Sequence, residues 1–142
     1  MEPTAALTSC HCFAVRQAAR QVTRLYERHL ADAQLTSAQF SILGALHEGG
    51  PITMADLAGV LVMDRTTLLR AMKPLQREGF LKNTSSPADP RQLVFTLSPA
   101  GERKLKQALP LWNKAQEEFE AEVGPREAGQ LRRSLLALAK ST

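Results

Sequence analysis

Long apolar stretches are missing from this chain. Nowhere do about 18 uninterrupted apolar residues occur, so no membrane-spanning helix is expected. The first thirty residues carry Arg16, Arg20, Arg24 and Arg28 where a secretory leader needs an apolar centre, and a cytoplasmic location follows as the expectation. Cysteine is scarce: Cys10 and Cys12 are the two present, too close together to bridge each other and too few for a disulfide framework. We read them as free thiols in a reducing compartment. Histidine is thin and scattered, at positions 11, 29 and 47. There is no Gly-rich phosphate loop, no nucleophile with its base, and no metal-binding helix motif. Catalysis and a bound cofactor are therefore not expected. The Cys10-His11-Cys12 spacing is unlike that of zinc pairs, so no metal is expected either.

What is present fits one ordinary globular domain over residues 1–142, with 44% hydrophobic and 23% charged residues. The formal net charge of +4 is unevenly spread. Between positions 64 and 91 stand six basic residues, Arg65, Arg70, Lys73, Arg77, Lys82 and Arg91, against Asp64, Glu78 and Asp89, a net of +3. A local basic footprint is what a polyanion requires, because each neutralised phosphate releases condensed counterions.

The periodicity orders this footprint. From Thr8 to about Ala33 there is no Gly or Pro, and Val22, Leu25, Tyr26 and Leu30 recur at helical spacing, predicting a long first helix. Thr36 with Gln39 three residues later is a capping box opening a second helix, Ser37 to about Glu48, which Gly49-Gly50-Pro51 ends. Thr53 caps a short third helix to Leu61, and Asp64 caps a fourth that runs to about Glu78 and stops at Gly79. On that fourth helix Leu68, Met72 and Leu75 fall on one face, and Thr66, Arg70, Lys73 and Arg77 on the other. Two short helices with the second capped and basic form a helix-turn-helix pattern.

Beyond Gly79 the period becomes alternating. Residues 80–84 and 92–97 read as two strands of a β-hairpin wing, joined by a loop of turn formers that includes Asp89-Pro90-Arg91. Ser98 and Pro99 then start a fifth helix to about Val123, with a kink or break expected at Pro110, and Gly124-Pro125 restarts a sixth. The expected architecture is mainly α with a small β-hairpin wing: a winged helix-turn-helix part over residues 34–98, flanked by dimerisation helices over 8–33 and 99–141. The flanking helices exceed what one small module needs and carry apolar stripes such as Leu131, Leu135 and Leu138, so a homodimer is expected. The like-charged stripe Arg16, Arg20, Arg24, Arg28 calls for compensation, and Glu117, Glu118, Glu120, Glu122 and Glu127 are the candidate partners beside a plain solvated face.

In this order and spacing the chain resembles the MarR family of winged helix-turn-helix regulators. The residues responsible are Leu35-Thr36-Ser37-Ala38-Gln39-Phe40, Met63-Asp64-Arg65-Thr66-Thr67-Leu68-Leu69-Arg70, Leu75-Gln76-Arg77-Glu78-Gly79-Phe80, Asp89-Pro90-Arg91 and Leu97-Ser98-Pro99-Ala100-Gly101. The resemblance implies a sequence-specific binder of double-stranded DNA, a repressor, acting as a homodimer on a pseudo-palindromic operator. Helix 64–78 would lie in the major groove and wing 80–97 at the minor groove. Carried over by position, Thr66, Thr67 and Arg70 would meet bases and phosphates, Arg91 the minor groove, and Arg65 and Lys73 phosphates. Asp89 would orient an arginine by a salt bridge or serve as a turn residue. The sequence departs from the family pattern at Leu69, read as packing against the third helix, at Pro74 within the reading helix, and at Leu93, where a second wing cation is often found.

The resemblance also implies release from DNA, either by a small aromatic or anionic effector bound between the reading module and the dimer helices or by cysteine oxidation. Cys12, with Cys10 beside it, resembles the sensing position of the hydroperoxide-sensing branch, yet Ser37 and Phe40 stand where that branch has activating tyrosines. Redox sensing thus stays open beside ligand release. A winged-helix module that binds proteins instead of DNA is the remaining alternative, against which the exposed Thr66, Arg70, Lys73, Arg77 face argues.

Overall fold

A computed structural model describes residues 3–141. Seven helices are assigned among them: α1 (Pro3–Thr8), α2 (His11–Leu30), α3 (Ser37–Gly49), α4 (Met54–Leu61), α5 (Arg65–Arg77), α6 (Pro99–Val123) and α7 (Pro125–Ala139). Three short strands accompany them: β1 (Ile52–Thr53), β2 (Leu81–Ser85) and β3 (Leu93–Leu97).

The capping chemistry read from the sequence sets most boundaries. Thr36 Oγ1 accepts from the Gln39 N–H at 3.1 Å while the Thr36 N–H donates to Gln39 Oε1 at 3.0 Å, closing the capping box of α3. Thr53 caps α4 through the Asp56 N–H, and Asp64 caps α5 through the Thr67 N–H. At the far end of α5 the Phe80 N–H bonds the Leu75 carbonyl and the Gly79 N–H bonds that of Gln76, a Schellman closure. It requires the positive φ of +75° that Gly79 supplies.

Four expectations need correction. The long first helix does not begin at Thr8: Cys10 adopts an extended conformation, its sulfur accepting from the Phe13 N–H at 3.4 Å, and this cap separates the short α1 from α2. Its end also differs, since residues 31–33 tighten into a 3-10 turn that Gln34 closes at a φ of +57°. Pro110 does not break α6, which runs unbroken through it. The ring stands on the exposed side of the helix, where water can serve the carbonyl that loses its amide. Finally, the wing sheet has a third member: β1 pairs antiparallel with β3, Ile52 opposite Phe95, giving the order β1-β3-β2.

One core joins the reading part to the long helices. Leu30 of α2, Ile42, Leu43 and Leu46 of α3, Leu57 of α4, Leu68, Met72 and Leu75 of α5, Phe95 of β3 and Leu105 and Ala108 of α6 are all buried in a single cluster. The flanking helices therefore pack into the winged module instead of merely bracketing it. By contrast α7 rests on α6 through the buried Ala128 and leaves Leu131, Leu135, Leu136 and Leu138 exposed. Of the arginine stripe, Arg28 is compensated inside the chain, its Nη2 lying 2.7 Å from Glu118 of α6. Arg16, Arg20 and Arg24 form no ion pair with another described residue.

Candidate nucleic-acid interface

Helix α5 divides its faces sharply. Leu68, Met72 and Leu75 are 0%, 0% and 2% exposed, whereas Arg65, Thr66, Thr67, Arg70, Lys73 and Arg77 all stand in solvent. Burying three large apolar side chains at i, i+4 and i+7 fixes the rotation of the helix about its own axis. That rotation aims the basic face outward. Pro74 interrupts neither face nor helix.

The N-terminus of α5 is tightly organised. Besides the backbone cap, the Thr67 hydroxyl donates to the second Asp64 carboxylate oxygen at 2.9 Å. The Thr67 and Thr66 amides and the Thr67 hydroxyl, with the nearby Arg70 charge, hold the Asp64 carboxyl below the usual carboxylate range. Thr67 is thereby engaged in the cap, while no such bond engages the hydroxyl of Thr66.

The wing comes up beside this helix. β2 and β3 pair from Leu81 opposite Leu97 to Ser85 opposite Leu93, and the loop between them is turned by local bonds. Asp89 accepts from the Arg91 backbone N–H at 3.0 Å and its carbonyl accepts from the Gln92 N–H. Asp89 is a turn residue, and its ion pair with an arginine is not formed: the carboxylate is spent on the loop backbone. Arg91 and Arg65 line one groove between α4, α5 and the wing, about 430 Å³ in volume, with Leu69, Asn83 and Leu93. Leu69 lies there beside Met54 and Ala55 of α4 but remains 37% exposed, so it is only partly packed as expected from the sequence.

Away from this surface, Cys10 and Cys12 are exposed free thiols at the start of α2. His29 and His47 are paired with Glu118 and Glu102, at 3.2 and 2.9 Å. No group of three metal-binding side chains occurs among the described residues, and no described helix is long and apolar enough to cross a membrane.

Sequence reasoning missed two features of the site. One is β1, whose two residues carry too little pattern to be seen. The other is Val62, which forms the turn between α4 and α5 at a φ of +52° while 69% exposed. A β-branched residue in the left-handed region is unusual, and nothing in the local sequence announces it.

An exposed basic helix held by a second helix, with a wing arginine sharing its groove, defines a winged helix-turn-helix DNA-binding transcriptional regulator. The MarR family model matches residues 35–93, from the start of α3 to the wing. A solved structure of the Mycobacterium tuberculosis transcriptional regulator MosR in complex with DNA is 35% identical, covers 94% of this chain and 96% of its own, and superposes with a TM-score of 0.80. The chain belongs to the MarR family. The transcriptional repressor NicR of Pseudomonas putida is 28% identical over 116 residues, 82% of this chain and 72% of that protein. The Bordetella bronchiseptica regulator BpsR, whose DNA binding is regulated by 6-hydroxynicotinic acid, gives a TM-score of 0.85 over 95% of this chain and 96% of its own. At 21% identity that last likeness speaks for the fold alone.

Proposed function

We propose that the protein is a cytoplasmic, non-catalytic repressor that binds a pseudo-palindromic operator as a homodimer and is released by a small-molecule effector. In this reading residues 34–98 are the DNA-reading part of one domain, and the helices within 8–33 and 99–141 join the two copies. The two-faced α5 is the observation on which the reading rests: its apolar side is anchored in the core and its cationic side is free.

On that basis Arg70 reads a base edge, with a guanine offering it two acceptors, and Thr66 contacts a base or phosphate. Arg65 and Lys73 neutralise phosphates and set the register. Thr67 gives its hydroxyl proton to Asp64, so it has none for a phosphate and can only accept, as from a base amino group; its main part is to hold the helix start in place. Arg91 enters the adjacent minor groove, where narrowing concentrates negative potential. The exposed leucines of α7 support the dimer, because an apolar stripe of this kind is covered in solution by a matching one.

Salt titration of binding to DNA upstream of the protein's own gene tests this, comparing wild type with Arg70→Ala and Arg91→Ala. Specific binding that falls steeply with salt, loses base preference in Arg70→Ala and weakens in Arg91→Ala is the expected result. Failure of every fragment to outcompete random DNA, with both variants like wild type, would leave the interface assignment without support.

A further inference from the structure

The reading of ligand release leaves open which chemistry the effector has, and the cavity between α2, α3, α4 and α6 bears on it. This cavity is about 420 Å³ and lies between the DNA-reading helices and the long helices. Its apolar wall comes from Leu30, Val60 and Leu61, and from Phe40 and Trp112, whose rings stack with centroids 6.2 Å apart and planes 21° from parallel. Among the described residues Glu48 is the sole charged side chain lining it; no Lys, Arg or His does.

The polar groups around the cavity are mostly acceptors. The Tyr26 hydroxyl donates to Gln116, and the Ser37 hydroxyl donates to Glu27 at 3.2 Å, so both turn lone pairs to other partners. Partial burial, with Glu120 nearby, raises the Tyr26 phenol further above its ordinary value despite the opposing Arg132. It stays a neutral hydroxyl. Ser41 and the Trp112 indole N–H are the side-chain donors that remain. A second cavity also has Phe40, Trp112 and Glu48 in its lining, and its one lysine, Lys106, lines it together with the paired His47 and Glu102.

Resting on the effector reading above, we infer that the cavity takes an aromatic small molecule with a cationic, hydrogen-bond-donating head, with Glu48 as its counter-charge. An aromatic body stacks on the Phe40 and Trp112 pair, and an ammonium or amidinium gains both from their π faces and from the carboxylate. A carboxylate head would instead meet acceptor oxygens and a like charge, with no described cation in the lining of this cavity to offset them.

Trp112 is the chain's single tryptophan, so its fluorescence reports occupancy with no DNA present. The full-length protein is titrated with 2-phenylethylamine, 2-phenylethanol and 3-phenylpropanoate, and calorimetry checks each. The amine is expected to give a saturable change, to bind more tightly than the alcohol, and to weaken about fivefold in Glu48→Gln. The propanoate is expected to bind least. The inference is overturned if the amine shows no saturable binding, if the propanoate binds as well as the amine, or if Glu48→Gln leaves amine affinity unchanged. Operator release is scored separately: an amine that binds in this pattern yet leaves the DNA complex intact upholds the cavity's chemistry and refutes the release step of the proposed function.

Discussion

The Ser98 hydroxyl donates to the Gly79 carbonyl at 2.6 Å, tying the start of α6 to the end of the reading helix. The same oxygen accepts from the Gly101 N–H at 3.0 Å, and the Ser98 N–H donates to the Phe80 carbonyl. One buried side chain therefore caps the long helix and satisfies the backbone where α5 stops. Gly101 makes the approach possible, because a Cβ there would overlap the Phe80 carbonyl oxygen.

Ser98→Ala removes the cap and takes the hydroxyl donor from the Gly79 carbonyl, so it is expected to cost about 1–2 kcal/mol in chemical denaturation. Gly101→Ala is expected to cost more, since the clash is with backbone that cannot swing aside. A Gly101→Ala protein as stable as wild type would show that α6 can shift freely against the wing, contrary to this account.

Val62 offers the opposite test. Holding a β-branched residue at a φ of +52° costs on the order of 1–2 kcal/mol, and its exposed side chain recovers little by burial. Val62→Gly removes that strain, at the expense of a more flexible unfolded chain, and a net gain of about 0.5–1 kcal/mol is expected. The melting temperature should rise by several degrees. An unchanged or lower value would mean that Val62 makes contacts which outweigh its backbone.

How much of this was legible in the sequence depends on whether the signal was local. The capping box at Thr36 and Gln39, the Asp64 cap and the Leu68, Met72, Leu75 stripe depend on neighbours within a turn or two, and all appear as read. β1 was invisible because its two residues become a strand only by pairing with Val94 and Phe95, some forty positions away. Asp89 was ambiguous because a carboxylate two residues before an arginine suits either an ion pair or a turn, and only the loop's backbone path decides. The Glu48 cavity likewise needed the fold, since Tyr26, Glu48 and Trp112 come from three separate helices.

Glu118 gives a pH prediction. Hydrogen bonds from Arg28 and then His29 hold its carboxyl below the ordinary glutamate value. A depressed folded-state pKa adds stability that is fully present above the unfolded-state value and is lost as pH falls through the folded one. The stability difference between wild type and Glu118→Gln should therefore be present above about pH 4.5 and shrink below it, where the unfolded carboxyl begins to protonate. A difference that grew as pH fell below that value would reverse the assigned sign and remove the Arg28 and His29 bonds as the cause.

The exposed α7 leucines make the dimer itself testable. Leu131, Leu135 and Leu138 recur at i, i+4 and i+7, so they form one stripe, and Leu131 and Leu135 line an open groove beside the buried Ala128, facing Tyr26 of α2 and Phe119 of α6. Covering a leucine side chain gives about 1.5–3 kcal/mol, and a two-fold interface uses each position twice. Replacing Leu131 and Leu135 together by Glu should raise the dimer dissociation constant at least about 100-fold in sedimentation equilibrium, because charge is added as well as burial lost. Operator affinity should fall with it, since a monomer holds one half-site and loses the benefit of the linked second one. The reading helix lies in a different part of the fold, so the monomeric variant should keep its far-ultraviolet dichroism and its weak, salt-sensitive binding to nonspecific DNA. A variant that remained dimeric would move the interface away from α7, towards the face of α2 whose Arg16, Arg20 and Arg24 form no ion pair with another described residue.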